Sequence, residues 1–411
     1  MKRVFFLAAG MFALGSEDYL FPGLLPGIST SLRASVVSVA QGCTVFGVAY
    51  LLSVPLCAYL LSKRPAQSVL IMALVLFLTG NGLSVSSTNL AIYLTSRFIA
   101  GLGAGLYLPV AVAFASRVVE SNFRARALSA VWSFNCAGAV IGVPLGLGLA
   151  ARMGWRVSIS AILILGVFAL IGLSLQSPQL NVETPPSLSD QLRVLTDARV
   201  MGVIGVTFLT ATGALGLYTY ITPLLAETGN SADIAFSLWS VGGLLGSLGI
   251  GYVVDRVGKP QVVMGIILAV FVLVLTSLPL LRTVPTLGLL PFLLWGGLGW
   301  ATVTPQQYRL INIKADHEAI LIALNSSAVS LGSVVGCALG GLALAGGLNP
   351  KYLPYLFSAC LLSALLCQIA LIYFESHDLS RGEQSMLGFL FQLQSPKEKR
   401  HKAEISGRPS L

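Results

Sequence analysis

Residues 177–199 read SPQLNVETPPSLSDQLRVLTDAR. In most chains such a polar stretch would pass unnoticed. Here it is the longest interior break in a sequence of 411 residues that is 55% hydrophobic and 10% charged, with a mean hydropathy of +0.84. A soluble domain carries about 25% charged residues. No aqueous fold hides this much apolar sequence, so the solvent of the chain is a lipid bilayer. A helix needs about 20 mostly apolar residues to cross it. Six such segments precede the break, at roughly 4–28, 35–61, 68–88, 90–115, 127–150 and 155–176. Six follow it, at roughly 200–226, 233–254, 261–280, 285–308, 319–346 and 352–374.

The division predicts an all-α polytopic membrane protein with twelve transmembrane helices in two pseudo-symmetric six-helix bundles. The N-terminal bundle is 1–176, the central loop 177–199, the C-terminal bundle 200–374 and the tail 375–411. Within the loop, Ser187 or Ser189 is placed to cap a short amphipathic helix ending near Leu195. The tail, with KEKRHK at Lys397–Lys402, is too polar to order itself by burial.

Charge sets the orientation. Of the 25 Lys and Arg, 19 fall on the side of the N-terminus, five on the other and one inside a span; without the tail the split is 13 to five. By the positive-inside rule both termini are cytoplasmic, and the expected location is a cell inner membrane. The opening MKRVFFLAAGMFALG imitates a signal peptide. Its apolar run continues to about Ile28 with no small-residue cleavage site, which makes it the first spanning helix. The basic residues are scattered through short loops, which excludes a nucleic-acid surface. The six cysteines lie in apolar segments without C-x-x-C spacing, and the three histidines lie in loops or the tail. No metal centre, disulfide framework or cofactor is expected.

Two of the 16 acidic residues, Glu17 and Asp18, fall deep inside a span, in GSEDYLFPGLLPG at Gly15–Gly27. Arg97 lies inside the fourth span, about 10 Å from the face opposite the termini at 1.5 Å per residue. Ionisable residues in hydrocarbon are costly and mark functional sites, so these three are candidate proton-coupling residues. On a helix Asp18 shares a face with Gly15, Pro22 and Leu25. Glu17 shares one with Ala13, Leu14, Leu20 and Leu24, and about 100° separates the two carboxylates. The first face suits a cavity or a close helix contact; the second is aliphatic and points Glu17 at a neighbouring helix. Asp18 within reach of Arg97 in one conformation and not in the other would make a proton switch. The simpler reading is a static ion pair joining spans one and four.

Glycine, 43 residues, is concentrated in the spans, where small residues let helix backbones approach. Gly101, Gly103 and Gly105 mark span four in RFIAGLGAG. Gly138, Gly142, Pro144 and Gly146 form a kinkable seam in span five, GAVIGVPLG. Between spans eight and nine, GYVVDRVGKP holds Gly251, Asp255, Arg256, Gly258 and Lys259 in a tight loop.

These motifs together resemble the major facilitator superfamily, in particular its twelve-span drug:proton antiporter branch. GYVVDRVGK is similar to the superfamily's loop signature, RFIAGLGAG to its span-four signature and GAVIGVPLG to the antiporter signature of span five. GSEDYLFPGLLP and YTYITPLL at Tyr218–Leu225 resemble the opening and span-seven patterns of arabinose and sugar efflux permeases and chloramphenicol-resistance exporters. The likeness covers about residues 4–374. The first-half copy of the loop signature, AYLLSKRPAQS at Ala58–Ser68, keeps only Lys63 and Arg64 of its pattern.

The resemblance implies a monomeric, non-enzymatic secondary transporter that exports a small organic molecule in exchange for protons by alternating access. It implies a proton role for the acidic residue aligned with Asp18, and gating roles for the glycine and loop motifs. Import or facilitation is the runner-up within transport, and a receptor or scaffold the rival outside it. Antibiotics, sugars, nucleosides and metallophores all fit as cargo. Polar and aromatic residues at mid-depth are the candidate substrate contacts: Tyr107, Asn135, Tyr218, Tyr220, Trp295 and Asn325.

Overall fold

The computed structural model describes residues 2–118, 133–175, 194, 196–226, 228, 230–284, 287–314 and 318–374. The cap expected in the central loop and the tail after 374 lie outside these residues. The described chain is helical throughout. We number the membrane helices α1 (Lys2–Leu32), α2 (Val36–Lys63), α3 (Ala66–Ser86), α4 (Leu90–Val118), α5 (Ser133–Met153) and α6 (Trp155–Ser174). The second set is α7 (Ala198–Tyr218), α8 (Ala232–Val257), α9 (Pro260–Leu281), α10 (Leu287–Ile313), α11 (Glu318–Ala345) and α12 (Pro350–Phe374). Eleven segments among the described residues are long and apolar enough to cross a membrane. The remaining helix, α1, holds both carboxylates and is 31 residues long, about 46 Å.

The expected spans correspond to these helices, with three local departures that prolines explain. A proline donates no backbone N–H and its ring crowds the carbonyl four residues back. Pro223 therefore ends α7 at Tyr218, and the chain restarts as a short helix, Ile221–Leu225. Pro305 breaks α10 at Thr302, with helical pieces Leu290–Ala301 and Val303–Ile313. Pro144 follows a π-helical turn at Gly138–Gly142, which widens α5 by one residue.

The halves repeat one packing plan. In the first, α4 lies against α2 and α3, and α5 against α1; in the second, α10 lies against α8, and α11 against α7. Backbone proximity explains the glycines. A Cβ on Gly105 would stand 2.6 Å from the Tyr50 carbonyl oxygen of α2, and one on Gly103 2.6 Å from the Ala73 carbonyl oxygen of α3. Gly101 abuts the Phe46 carbonyl of α2. Gly332 and Gly336 repeat this contact between α11 and α7, reaching Phe208 and Thr212.

The halves meet through α2 with α11, α5 with α8, and α1 with α8 and the short helix. We call the side where α1 starts the terminal side and the side where it ends the far side. Cys337 Sγ donates to the Ala40 carbonyl at 3.5 Å, Val334 fills the space beside Gly47, and Gln41 packs on Gly341. Phe236 reaches Gly23 on α1. The Tyr218 hydroxyl donates to the Tyr19 carbonyl at 2.8 Å. All of these contacts lie between mid-membrane and the far side. The halves are in contact with each other there.

Candidate functional site

The middle of α1 carries the charges. From residue 6 to residue 25 this helix is buried or half-buried except at Asp18, which is exposed. An exposed residue in the centre of a helix packed on α2, α4, α5, α6 and α8 faces an internal cavity. Its neighbour Glu17 is fully buried on another face.

Glu17 is held by both oxygens. Asn81 Nδ2, from α3, donates to Oε2 at 2.6 Å and also to the Phe77 carbonyl at 3.0 Å. Arg97 Nη1, from α4, donates to Oε1 in an ion pair. The Arg97 guanidinium lies 3.5 Å from the Phe21 ring centroid and 4.5 Å from that of Phe46. Two rings from α1 and α2 thus replace water around the cation. Arg97 is 2% exposed, so it does not snorkel to the surface.

One part of the expectation is corrected: in this structure Arg97 pairs with Glu17 rather than with Asp18, which a switch that joins Asp18 to Arg97 in one conformation only allows. The 100° between adjacent helical residues sends Glu17 towards α3 and α4 and leaves Asp18 on the cavity. A buried pair with a hydrogen bond to each carboxylate oxygen is a structural tie, because breaking it strands a charge in hydrocarbon. It joins three helices of the first bundle and leaves Asp18 as the carboxylate open to water.

Aromatic rings from both halves adjoin this opening. Tyr19 lies 5.5 Å from Trp239 of α8 and 5.8 Å from Trp300 of α10, ring to ring. The Tyr218 ring lies 4.3 Å from that of Trp239, tilted to it, and 5.1 Å from that of Phe236, edge to face. Trp239 is buried, while Tyr19, Trp300 and Tyr50 of α2 stay half-exposed.

Most residues expected to line the cavity instead join helices. The Tyr107 hydroxyl donates to the Leu7 carbonyl at 3.1 Å, beside Gly10. Asn135 Nδ2 donates to the Met11 carbonyl at 3.3 Å. Tyr220 donates to the Cys337 carbonyl at 2.6 Å. Asn325 Oδ1 accepts from Thr207 at 2.8 Å, and Gln306 Nε2 adds a 3.3 Å bond to Thr207. Trp295 is fully buried in the second bundle. Tyr218 alone of the six belongs to the aromatic cluster, and its hydroxyl is spent on α1. In a membrane interior each polar group is driven to such a partner.

A second correction concerns Arg309. With the tenth span ended at 308 it counted as a loop residue, but α10 continues to Ile313 and Arg309 is 4% exposed. Its Nη1 donates to Gln368 of α12 at 3.1 Å, and Gln368 donates on to the Gln261 carbonyl at 2.7 Å. The second bundle therefore also contains a buried cation.

The span-five seam packs on the carboxylate helix. Gly138 meets Phe12 and Ser16, Gly142 meets Ser16, and Gly146 meets Leu20, a rise of one turn per step on both helices. Cβ atoms on Gly142 and Gly146 would lie 2.7 Å from Ser16 Cβ and 2.6 Å from Leu20 Cδ2. Pro144 supplies the bend next to the π turn. In the terminal-side motif, Gly251, Asp255 and Arg256 sit in the last turns of α8. Gly258 closes that helix at φ 64, a left-handed conformation that suits glycine, and Lys259 leads into α9. Asp255, Arg256 and Lys259 are exposed there.

Asn81, Phe21, Phe46, Tyr19, Tyr50, Trp239 and Trp300 were not singled out by motif. Asn81, in LTGNGLS of α3, had a signal of its own: a lone amide in the middle of an apolar span.

Two helical bundles that meet between mid-membrane and one face, with an exposed carboxylate at mid-depth, have the architecture of a membrane transporter. The family model of the Major Facilitator Superfamily matches residues 6–336, and the chain belongs to that superfamily. It is similar to the inner membrane transport protein YdhP of Escherichia coli (strain K12), 27% identical over 85% of this chain and 90% of that one. The chloramphenicol resistance protein of Streptomyces lividans is 22% identical over 81% of this chain and 86% of its own. Among solved structures, a mutant of the nucleoside transporter NupG superposes with a TM-score of 0.73 at 11% identity, over 90% of this chain and all of that one. That likeness concerns the fold.

Proposed function

We propose that the protein exports a small organic molecule across the cell inner membrane in exchange for protons, with Asp18 as the proton-carrying group. The observation that carries this reading is the contrast between two adjacent carboxylates. Glu17 has both oxygens occupied by Arg97 and Asn81, whereas Asp18 is the exposed residue in the buried middle of α1. A group that exchanges protons with water on alternate sides has to stand in the space that alternately opens. The name of the Streptomyces relative supports export, and the charge asymmetry of the loops supports termini in the cytoplasm. With that orientation the structure represents the inward-facing state of a rocking cycle.

In this reading the Glu17–Arg97 pair positions α1, and the seam of Gly138, Gly142 and Gly146 lets α1 move with α5 as one body. Gly101, Gly103 and Gly105 keep α4, and with it Arg97, against α2 and α3. The Gly251–Lys259 turn holds α8 to α9 at the cytoplasmic surface. A single chain suffices for all of this.

The test is transport by purified protein in vesicles with an imposed pH gradient, assayed with a panel of radiolabelled or fluorescent cargo. Wild type drives uptake against a gradient in inside-out orientation. Asp18→Asn abolishes gradient-driven accumulation while downhill exchange persists. Full accumulation by Asp18→Asn, with normal proton release on adding cargo, refutes the assignment.

A further inference from the structure

The seam between α2 and α11 brings a thiol from each half to one place. The two helices run antiparallel, and printed contacts fix their register. Val334 fills the space beside Gly47, and Gln41 Nε2 stands 2.5 Å from where a Cβ on Gly341 would lie. Interpolating between these contacts sets Cys337 level with Thr44 and one residue, about 1.5 Å of rise, from Cys43. The bond from Cys337 Sγ to the Ala40 carbonyl, at 3.5 Å, agrees with that register. Ala40, Cys43, Thr44 and Gly47 recur at helical spacing, so Cys43 lies on the same face of α2 as the carbonyl that Cys337 touches.

The surroundings hold Cys337 in place and leave one polar atom unused. The Tyr220 hydroxyl donates to the Cys337 carbonyl at 2.6 Å and lies 4.0 Å from its sulfur. Cys337 is buried and Cys43 half-buried, and both are free thiols. Beside them Thr44 Oγ1 is buried without a hydrogen-bond partner. Among the described residues no group of three or more His, Cys, Asp or Glu stands together. The seam therefore offers two sulfur ligands and no further charged donor.

That donor set selects its ion. Zinc takes four ligands in a structural site, which the seam does not supply. Thiolates favour soft metals, and of these the mercuric ion is satisfied by two in a linear centre. Two thiolates also cancel its charge, and a neutral complex suits an interior that penalises net charge. Two metal–sulfur bonds of about 2.3 Å span a gap of about 4.6 Å, which joins neighbouring helices without the closer approach a disulfide needs.

We propose that Cys43 and Cys337 form a two-thiolate site for a soft metal ion, mercuric ion fitting best, that ties the two halves together. Two S–H bonds break, two S–Hg bonds form, and two protons leave to water; nothing is oxidised or reduced. A bridge at this point holds together helices that have to part for the far side to open, so the bound ion arrests transport. The arrest rests on the transport reading above; the site does not.

The experiment uses purified full-length protein in which Cys57, Cys136, Cys360 and Cys367 are replaced by alanine. Mercuric chloride is expected to bind at one ion per chain, with two protons released and a mercury–dithiolate charge-transfer band in the ultraviolet. The ion resists glutathione at a concentration about 100-fold or more above that which strips it after a further Cys43→Ala or Cys337→Ala change, because two linked ligands rebind intramolecularly. Zinc chloride releases no protons. Methylmercury, which has one open coordination position, binds at two per chain and is stripped as easily as from the single-cysteine variants. This comparison needs no further substitution, so it stands even where a variant fails to fold. Two mercuric ions per chain, or mercuric ion lost at the same glutathione concentration as methylmercury, overturns the site.

Vesicle transport separates the consequence from the site. One equivalent of mercuric ion is expected to stop transport, and the dithiol dimercaptopropanol to restore it. Transport at full rate with the ion bridged overturns the arrest. If the ion bridges both thiols and no gradient moves any compound through the unmodified wild type, the site stands and the exporter falls.

Discussion

Replacing Arg97 by methionine removes the positive half of the buried pair and leaves Glu17 charged, fully buried and bonded to Asn81 alone. Breaking a buried pair in this way costs about 3–5 kcal/mol. The Asn81 bond at 2.6 Å persists, which places the loss towards the lower end, about 3 kcal/mol. The methionine lies in the guanidinium's place between Phe21 and Phe46, where sulfur–aromatic contact returns about 0.3–1.5 kcal/mol. The double variant Glu17→Gln with Arg97→Met carries no stranded charge and keeps an acceptor for Asn81. It is expected to recover at least half of the loss. The assay is reversible unfolding in mixed micelles with rising denaturing detergent, run on wild type, both single variants and the double variant as a cycle. About 3 kcal/mol is a shift of roughly two decades in the folding equilibrium. The reasoning fails if Arg97→Met unfolds within about 1 kcal/mol of wild type. It fails equally if the double variant is no more stable than Arg97→Met, because the pair would then act by packing and not by charge.

Three further outcomes follow from the packing and the topology. Gly142→Leu, whose side chain has to displace Ser16 on α1, lowers folded yield and transport sharply, while Gly148→Leu, with open space around it, changes neither; equal effects on size-exclusion profile and efflux would dissolve the seam. Cys43 of α2 lies about one turn from Ala40, whose carbonyl accepts from Cys337 of α11, so the thiol oxidant diamide, itself reduced to the hydrazine, is expected to join the two cysteines in a disulfide that blocks transport until a thiol reductant is added. Cys43→Ser is insensitive to diamide, and oxidation that leaves wild-type transport and peptide maps unchanged refutes this far-side contact. In a background without native cysteines, a membrane-impermeant maleimide added to intact cells labels Ser31→Cys and misses Lys259→Cys, the reverse pattern inverting the orientation.

Much of the architecture was legible in the chain because a bilayer demands long apolar helices and satisfies their backbones internally. The lengths of the segments, the polar break at 177–199 and the mid-span acids are one-dimensional properties, and the helices follow them. Proline chemistry is local as well: Pro223, Pro305 and Pro144 stand within four residues of the breaks and the π turn. Tertiary structure decided which polar groups are spent and which are open. Glu17 and Asp18 are neighbours in sequence, yet one is bonded to Asn81 and Arg97, which come from α3 and α4 with no fixed sequence offset. Tyr107 and Tyr220 have the composition of a binding site, but the carbonyls that accept their hydroxyls, at Leu7 and Cys337, lie 100 and 117 residues away. The same holds for Arg309, whose depth depends on α12 supplying Gln368. Helical periodicity states the direction in which a side chain leaves its own axis; whether it meets a donor, a ring or water there depends on helices brought together only by the fold.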